Sequence, residues 1–190
     1  MKKIVVGISG ASGIPLAIRL LTVLRTVNEA ETHLVMTRGA ELTAGEETRL
    51  SLEEIRALAD VYHERDRIGA SIASGSFRSD GMIVVPCSMK TLAGIACGYS
   101  DNLLLRAADV MLKERRKLIL VVRETPISAI HLRNMLTLTE MGAVILPPVM
   151  TYYHSPHTIE DMEQQVVGKM LDMLGIKNEC YHRWNGNGCE

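Results

Sequence analysis

Residues 3–24, KIVVGISGASGIPLAIRLLTVL, restrict the chain to an α/β fold more tightly than any other stretch. Ile4, Val5, Val6 and Ile8 form a near-continuous apolar run, which suits a strand buried on both faces of a parallel sheet. The turn that follows, Gly7, Ser9, Gly10, Ala11, Ser12 and Gly13, is built of small residues. Their missing side chains let the backbone approach a ligand, and the free N–H groups of the next helix suit an anion. Ile14, Leu16, Ala17, Leu20, Leu21 and Leu24 then recur at helical spacing, with Pro15 in a first turn that needs no donor. The glycines read G-x-x-G-x-x-G rather than G-x-G-x-x-G, and no acidic residue closes a second strand about 20 residues on to hold a ribose. On its own this turn fits a nucleotide or flavin ligand and a ligand-free βα turn equally well.

Further strands and turns extend the pattern. Thr32 to Met36 reads as a second strand ending in Thr37, Arg38 and Gly39, a hydroxyl and a cation where open α/β sheets bind ligands. A charged segment with Glu46, Glu47 and Arg49 follows. Ser51-Leu52-Glu53-Glu54 is then a capping box opening a helix through Ala59, with Glu54 as the cap partner. From Val61 to Asp80 the pattern dissolves into polar and small residues, a length that points to a functional or interface loop. Gly81 to Pro86 resumes as a buried strand and enters a second polar turn. There Ser88 and Thr91 offer hydroxyls, Lys90 a charge and the helix start its N–H groups. Helix capping explains Ser88 equally well, but two such turns on neighbouring strands would converge on one crevice.

Asn102 to Arg116 reads as a helix with Leu103, Leu104, Ala107, Val110 and Met111 inward. Arg106 and Lys113 lie within about 20° of each other on one face, spaced to clamp a phosphate, while Asp109 and Glu114 are placed to neutralise them. Lys117 to Val122 is another buried strand, ending in Arg123-Glu124-Thr125-Pro126. A carboxylate beside a guanidinium is either an acid/base group or an ordinary ion pair. A helix over Ser128 to Met141, a strand over Ala143 to Leu146 and an extended aromatic loop from Pro147 to His154 follow. The last helix, Ile159 to Leu174, turns Met162, Val166, Val167, Met170, Leu171 and Leu174 inward and leaves Lys169 off that stripe. Trp184, the only tryptophan, lies in a polar tail suited to docking on another subunit.

A chain of 190 residues, 47% apolar with a net charge of −1, points to one domain and presents no basic face for nucleic acid or an anionic membrane. No apolar run approaches the roughly 18 residues of a membrane span. Cys87, Cys97, Cys180 and Cys189 lack CxxC pairing and zinc spacing, so reduced thiols in a cytoplasmic protein without a metal site are expected.

Taken together, Gly10-Ala11-Ser12, Pro86-Cys87-Ser88 with Thr91 and Leu92, the run from Arg106 through Lys113 to Arg116, Arg123-Glu124-Thr125-Pro126, Pro147-Pro148 through Tyr153-His154, and Arg183-Trp184 resemble the UbiX-type flavin prenyltransferases nearly end to end. Some relatives bear the older names hydroxyarylic acid decarboxylase and phenylacrylic acid decarboxylase. The resemblance implies a single flavoprotein domain over 1–190, a three-layer Rossmann-like (flavodoxin-like) parallel sheet with helices on both faces, and a tail from about residue 176 at a subunit interface.

It further implies transfer of dimethylallyl from dimethylallyl phosphate to reduced FMN, without metal. The product is prenylated FMN for a UbiD-type decarboxylase, and the assembly is a homododecamer. The implied FMN ligands are Gly10, Ala11, Ser12, Thr37, Ser88, Met89, Lys90, Thr91 and Arg123. Tyr153 and Lys169, reached from a neighbouring subunit, would hold the allyl phosphate, with Arg106 and Lys113 adding charge and Glu47 and Trp184 near the site. Glu124 would handle the proton, and Ser12, Arg106 and Lys113 stand with it as catalytic residues. Lys169 occupies a position where many relatives carry Arg, which keeps the charge but loses bidentate phosphate geometry. The competing reading is an FMN-holding accessory subunit without chemistry of its own.

Overall fold

The computed structural model describes residues 1–27, 29–184 and 186. Six strands form one sheet: β1 (Lys2–Ile8), β2 (Ala30–Met36), β3 (Val61–His63), β4 (Gly81–Cys87), β5 (Leu118–Val122) and β6 (Val144–Ile145). Every pairing is parallel and the order is β3-β2-β1-β4-β5-β6. That is the doubly wound order in which the direction of winding reverses between the two central strands, here β1 and β4.

Helices cover both faces. Ile4, Val6 and Ile8 pack into the layer of α1 (Ile14–Thr26), α2 (Arg38–Glu47), α3 (Leu52–Arg56) and α7 (Ile159–Leu174). Val5, Met82 and Val84 face the opposite layer of α4 (Met89–Ala96), α5 (Leu103–Lys113) and α6 (Ala129–Glu140). β1, β4 and β5 are apolar at almost every position because a central parallel strand has no solvent side.

Two elements depart from the sequence expectation. The charged segment after Thr37 is the ten-residue helix α2. It buries only Ala40 and Ala44, so its apolar stripe is too small to stand out. Within the stretch 61–80, residues 61–63 form edge strand β3, and Ser71–Ala73 is a 3-10 turn. All three β3 residues are half-buried, and an edge strand this short carries little alternation to read.

Where β2 meets β3, His33 Nδ1 lies 3.0 Å from His63 Nε2, and His33 Nε2 lies 3.0 Å from Glu31 Oε1. The His33 ring stacks on His63 and meets the edge of Phe77. Burial lowers the pKa of both imidazoles; for His33 it outweighs the help of Glu31, and for His63 the charges of His33 and Arg67 lower it further. Lys3 from β1 and Asp60 are the remaining charges facing the pair. As pH falls through about 6.5 the unfolded chain takes up protons that the folded chain refuses, so stability is complete above that pH and declines below it. Thermal melts between pH 7.5 and 5 are expected to show Tm falling by roughly 2–4 °C from this source, with the slope flattened in His63→Gln.

Helix α6 is anchored by one fully buried side chain, Leu138, while Ile130, Leu132 and Leu136 are 65%, 56% and 60% exposed. The tail folds back on α7: Tyr181 packs against Gly168, and the Asp172 carboxylate accepts from Arg183, Tyr181 and Asn178. Arg183 chiefly, with hydrogen bonds from Tyr181 and Asn178 against the cost of burial, holds the Asp172 carboxyl down at about 2. Trp184 remains 62% exposed. Cys87, Cys97 and Cys180 are free thiols, and Cys189 lies outside the described residues. No described helix is long and apolar enough to cross a membrane.

Candidate functional site

The carboxyl ends of β1, β2, β4 and β5 are tied together by backbone and hydroxyl bonds. Ser9, fully buried, donates through Oγ to the Pro86 carbonyl at 2.9 Å and accepts from the Ser88 N–H at 2.8 Å. Thr37 N–H donates to the Ile8 carbonyl and Arg123 N–H to the Cys87 carbonyl. The turns after β1 and β2 meet at Gly10 and Gly39, where a Cβ on Gly10 would lie 2.8 Å from the Gly39 backbone. The two polar turns singled out in the sequence therefore share one crevice at the switch point.

A cavity of about 260 Å³ opens there. Thr37 caps α2 by accepting from Ala40 N–H, and Ser88 caps α4 by accepting from Thr91 N–H. Both caps line the cavity with Gly10 and Thr91, so two helix N-termini, whose first N–H groups have no intrahelical acceptor, converge on it. Arg38, Arg65 and Lys90 add three cations, and among the described residues no carboxylate lines the space. That donor set fits a phosphate dianion. Met89, the first residue of α4, turns into the core beneath it. Ala11 holds the adjoining turn through its N–H to the Ser9 carbonyl.

The N-terminus of α1 is not the open anion site that its sequence implies. Glu47, at the end of α2, accepts from Gly13 N–H at 2.8 Å and Ile14 N–H at 2.9 Å. Burial pushes the Glu47 carboxyl up, but hydrogen bonds from Ser12, Gly13 and Ile14 and the nearby Arg123 charge outweigh it, leaving the pKa below the usual value. A carboxylate of the chain itself thus fills the position that a ligand phosphate takes in other βα turns, which leaves α2 and α4 to bind one.

Two further cavities lie on the α7 side. One of about 430 Å³, mostly apolar, is lined by Ser12, Leu16, Glu47, Pro148, Met150 and Met162. The other, about 360 Å³, is lined by Pro147, Tyr153, Gln165, Lys169 and Tyr181 among others. Tyr153 accepts from Gln165 and donates to the His182 carbonyl, and its ring meets that of Trp184 edge to face at 5.6 Å. Lys169 is exposed on α7, as its position off the apolar stripe implies.

Arg106 and Lys113 lie apart from the crevice within the single chain. Arg106 donates to Asp109 at 2.6 Å and to the Ala73 carbonyl, and Lys113 pairs with Glu114. Neighbouring acids neutralise both cations, Asp109 one turn along α5 from Arg106 and Glu114 from the C-cap next to Lys113. Neither cation lines the three cavities above. Arg123 and Glu124 sit on an exposed loop after β5, with Glu124 accepting from Thr125 N–H at 3.0 Å. Sequence reasoning missed Arg65, Asn102, Gln165 and Tyr181. Arg65 follows the unrecognised β3, and nothing but its charge marked it. Among the described residues no group of three or more His, Cys, Asp or Glu side chains is placed to hold a metal ion.

A model of the Flavoprotein family matches residues 1–178. The chain is 53% identical over 188 residues to a flavin prenyltransferase UbiX of Escherichia coli, covering 98% of this chain and 100% of the relative. It is similar to a crystal structure of AnUbiX in complex with FMN and dimethylallyl pyrophosphate, at a TM-score of 0.95 and 54% identity over 97% of this chain and 98% of that one. A dodecameric FMN-dependent Ubix-like decarboxylase from Escherichia coli has a TM-score of 0.95 at 51% identity, covering 97% of this chain and 100% of that chain.

Proposed function

The chain belongs to the Flavoprotein family and, within it, to the UbiX-type flavin prenyltransferases, and we infer from this membership and the cavity geometry how its residues divide the work. It is a prenyltransferase that uses FMN and a dimethylallyl phosphate ester. Reduced FMN supplies an electron-rich ring that takes the five-carbon unit at N5 and C6, giving prenylated FMN. The observation that carries the assignment of residues is the cavity where the N-termini of α2 and α4 meet Arg38, Arg65 and Lys90, with no carboxylate among the described residues that line it.

Thr37, Ser88, Lys90 and Thr91 hold the flavin phosphate in that cavity, and Gly10, Ala11, Ser12 and Arg123 border the ring. The crevice between the turns after β1 and β4 orients the ring toward the apolar cavity of Ser12, Pro148 and Met150, where an allyl chain is shielded from water. As the allylic C–O bond breaks, negative charge grows on the departing phosphate, and fixed cations stabilise it most. Lys169 and Tyr153 provide that charge and a hydroxyl. The two reach the site from a neighbouring subunit in the assembly, and Arg106 and Lys113 add their charge to it. Glu124, exposed and without a cation partner among the described residues, accepts the proton released when the second bond closes. Glu47 keeps Ser12 and the α1 N-terminus in place beside the reacting groups.

A homododecamer is supported by the exposed apolar face of α6 and by the assembly of the Ubix-like relative. Membership of the family supports delivery of the product to a UbiD-type decarboxylase, with both proteins in the cytoplasm.

The decisive experiment mixes the protein anaerobically with reduced FMN and either dimethylallyl monophosphate or diphosphate, then reads flavin mass and absorbance. The expected result is a flavin heavier by one C5H8 unit, faster with the monophosphate. Flavin unchanged with both donors would leave only the accessory-subunit reading.

A further inference from the structure

We propose that Arg65, outside every motif of the family resemblance, binds the flavin phosphate directly and sets the preference of the site for FMN over riboflavin. The proposal rests on the flavin reading above and extends it to a residue of the β3 loop.

Arg65 lines the 260 Å³ cavity together with Thr37 and Ser88 and stands two residues beyond β3. Its backbone is fixed: the Arg65 carbonyl accepts from Leu103 N–H at 2.8 Å, which ties it to the first turn of α5. The same turn supplies Asn102 and Leu105 to the cavity wall. Its side chain is rooted as well. Nη1 donates to Glu41 at 2.5 Å and Nε lies 3.5 Å from Asp66, while Nη2 has no partner among the described residues.

An ion pair with Glu41 could by itself account for an arginine here, but Glu41 already has a second cation. Arg56 reaches the other Glu41 oxygen at 3.0 Å and lies over the Tyr62 ring. Charge neutrality of Glu41 therefore does not require Arg65. A guanidinium anchored through Nη1 and Nε with the Nη2 hydrogens unspent, on the wall of a cavity to which the described residues bring two more cations and no carboxylate, is arranged for a multiply charged oxyanion. A flavin lacking the phosphate would leave that donor and charge unanswered, so the contribution of Arg65 is confined to the phosphorylated cofactor.

The test measures binding of FMN and of riboflavin, by quenching of flavin fluorescence, to the full chain and to Arg65→Gln and Arg65→Lys, with melting temperature recorded for each. Arg65→Gln is expected to weaken FMN about tenfold to a hundredfold, the span of a charge-assisted contact, and to leave riboflavin unchanged. Arg65→Lys, which keeps the charge and the reach to Glu41 but loses the fork, should fall between. An unaltered FMN-to-riboflavin ratio in Arg65→Gln overturns the proposal. If that variant does not fold, a wild-type ratio in Arg65→Lys overturns it instead. A general structural role would weaken both flavins together and so also counts against it. Failure of the unaltered protein to bind either flavin would sink the flavin reading itself, a different outcome.

Discussion

Lys169→Ala is expected to lower kcat for allyl transfer by about a hundredfold or more while FMN affinity stays within error of the parent. The separation follows from position: Lys169 lines the 360 Å³ cavity with Tyr153, whereas the cations Arg38, Arg65 and Lys90 line another. A cation that meets charge developing on a leaving group acts mainly in the transition state, and losing one such contact costs on the order of 10²–10³ in rate. Lys169→Arg should retain most activity, because it keeps the charge and adds a planar fork suited to phosphate. Single-turnover kinetics with preloaded reduced FMN check both variants. A kcat for Lys169→Ala within a few-fold of the parent would remove Lys169 from the chemistry.

Gly10→Ala is expected to act in the opposite sense, on the flavin and not on the allyl donor. The added methyl would stand 2.8 Å from both Cα and the carbonyl carbon of Gly39, and neither is a flexible side-chain end that can swing away. The turns after β1 and β2 must separate, at a cost of about 1–3 kcal/mol in stability for overpacking of this kind. Because those turns form the wall that includes Thr37, FMN affinity should drop by about tenfold or more. Titration with FMN and a thermal melt, read together, check the prediction; wild-type affinity with a lowered Tm would show that the crevice tolerates the shift.

The legibility of this chain follows from burial. β1, β4 and β5 could be read from the sequence because strands enclosed on both faces must be apolar throughout, and the small-residue turns because little else fits between a strand and a helix that close. The amphipathic stripes of α5 and α7 were equally plain. Helix α2 was not, since Ala40 and Ala44 are all it buries. Nor was β3, three half-buried residues at the sheet edge. These two obscure elements carry Glu47, Glu41 and, just beyond β3, Arg65.

The site residues taken from the family resemblance divide in the same way. Gly10, Thr37, Ser88, Lys90 and Thr91 do meet in one cavity, whereas Arg106 and Lys113 are satisfied by acids on or next to their own helix. Sequence spacing reports which residues share a face. It does not report which carboxylate reaches across from a different element, and for that reason the α1 N-terminus looked vacant when Glu47 fills it.

The buried hydroxyl of Ser9 has a bearing on how quickly and cleanly the cofactor is taken up. By bonding both Pro86 and Ser88 it ties the turn after β1 to the turn after β4 before any ligand arrives. Little main-chain freedom is left for an incoming flavin to freeze out, so uptake should resemble insertion into a rigid slit rather than the moulding of a soft one.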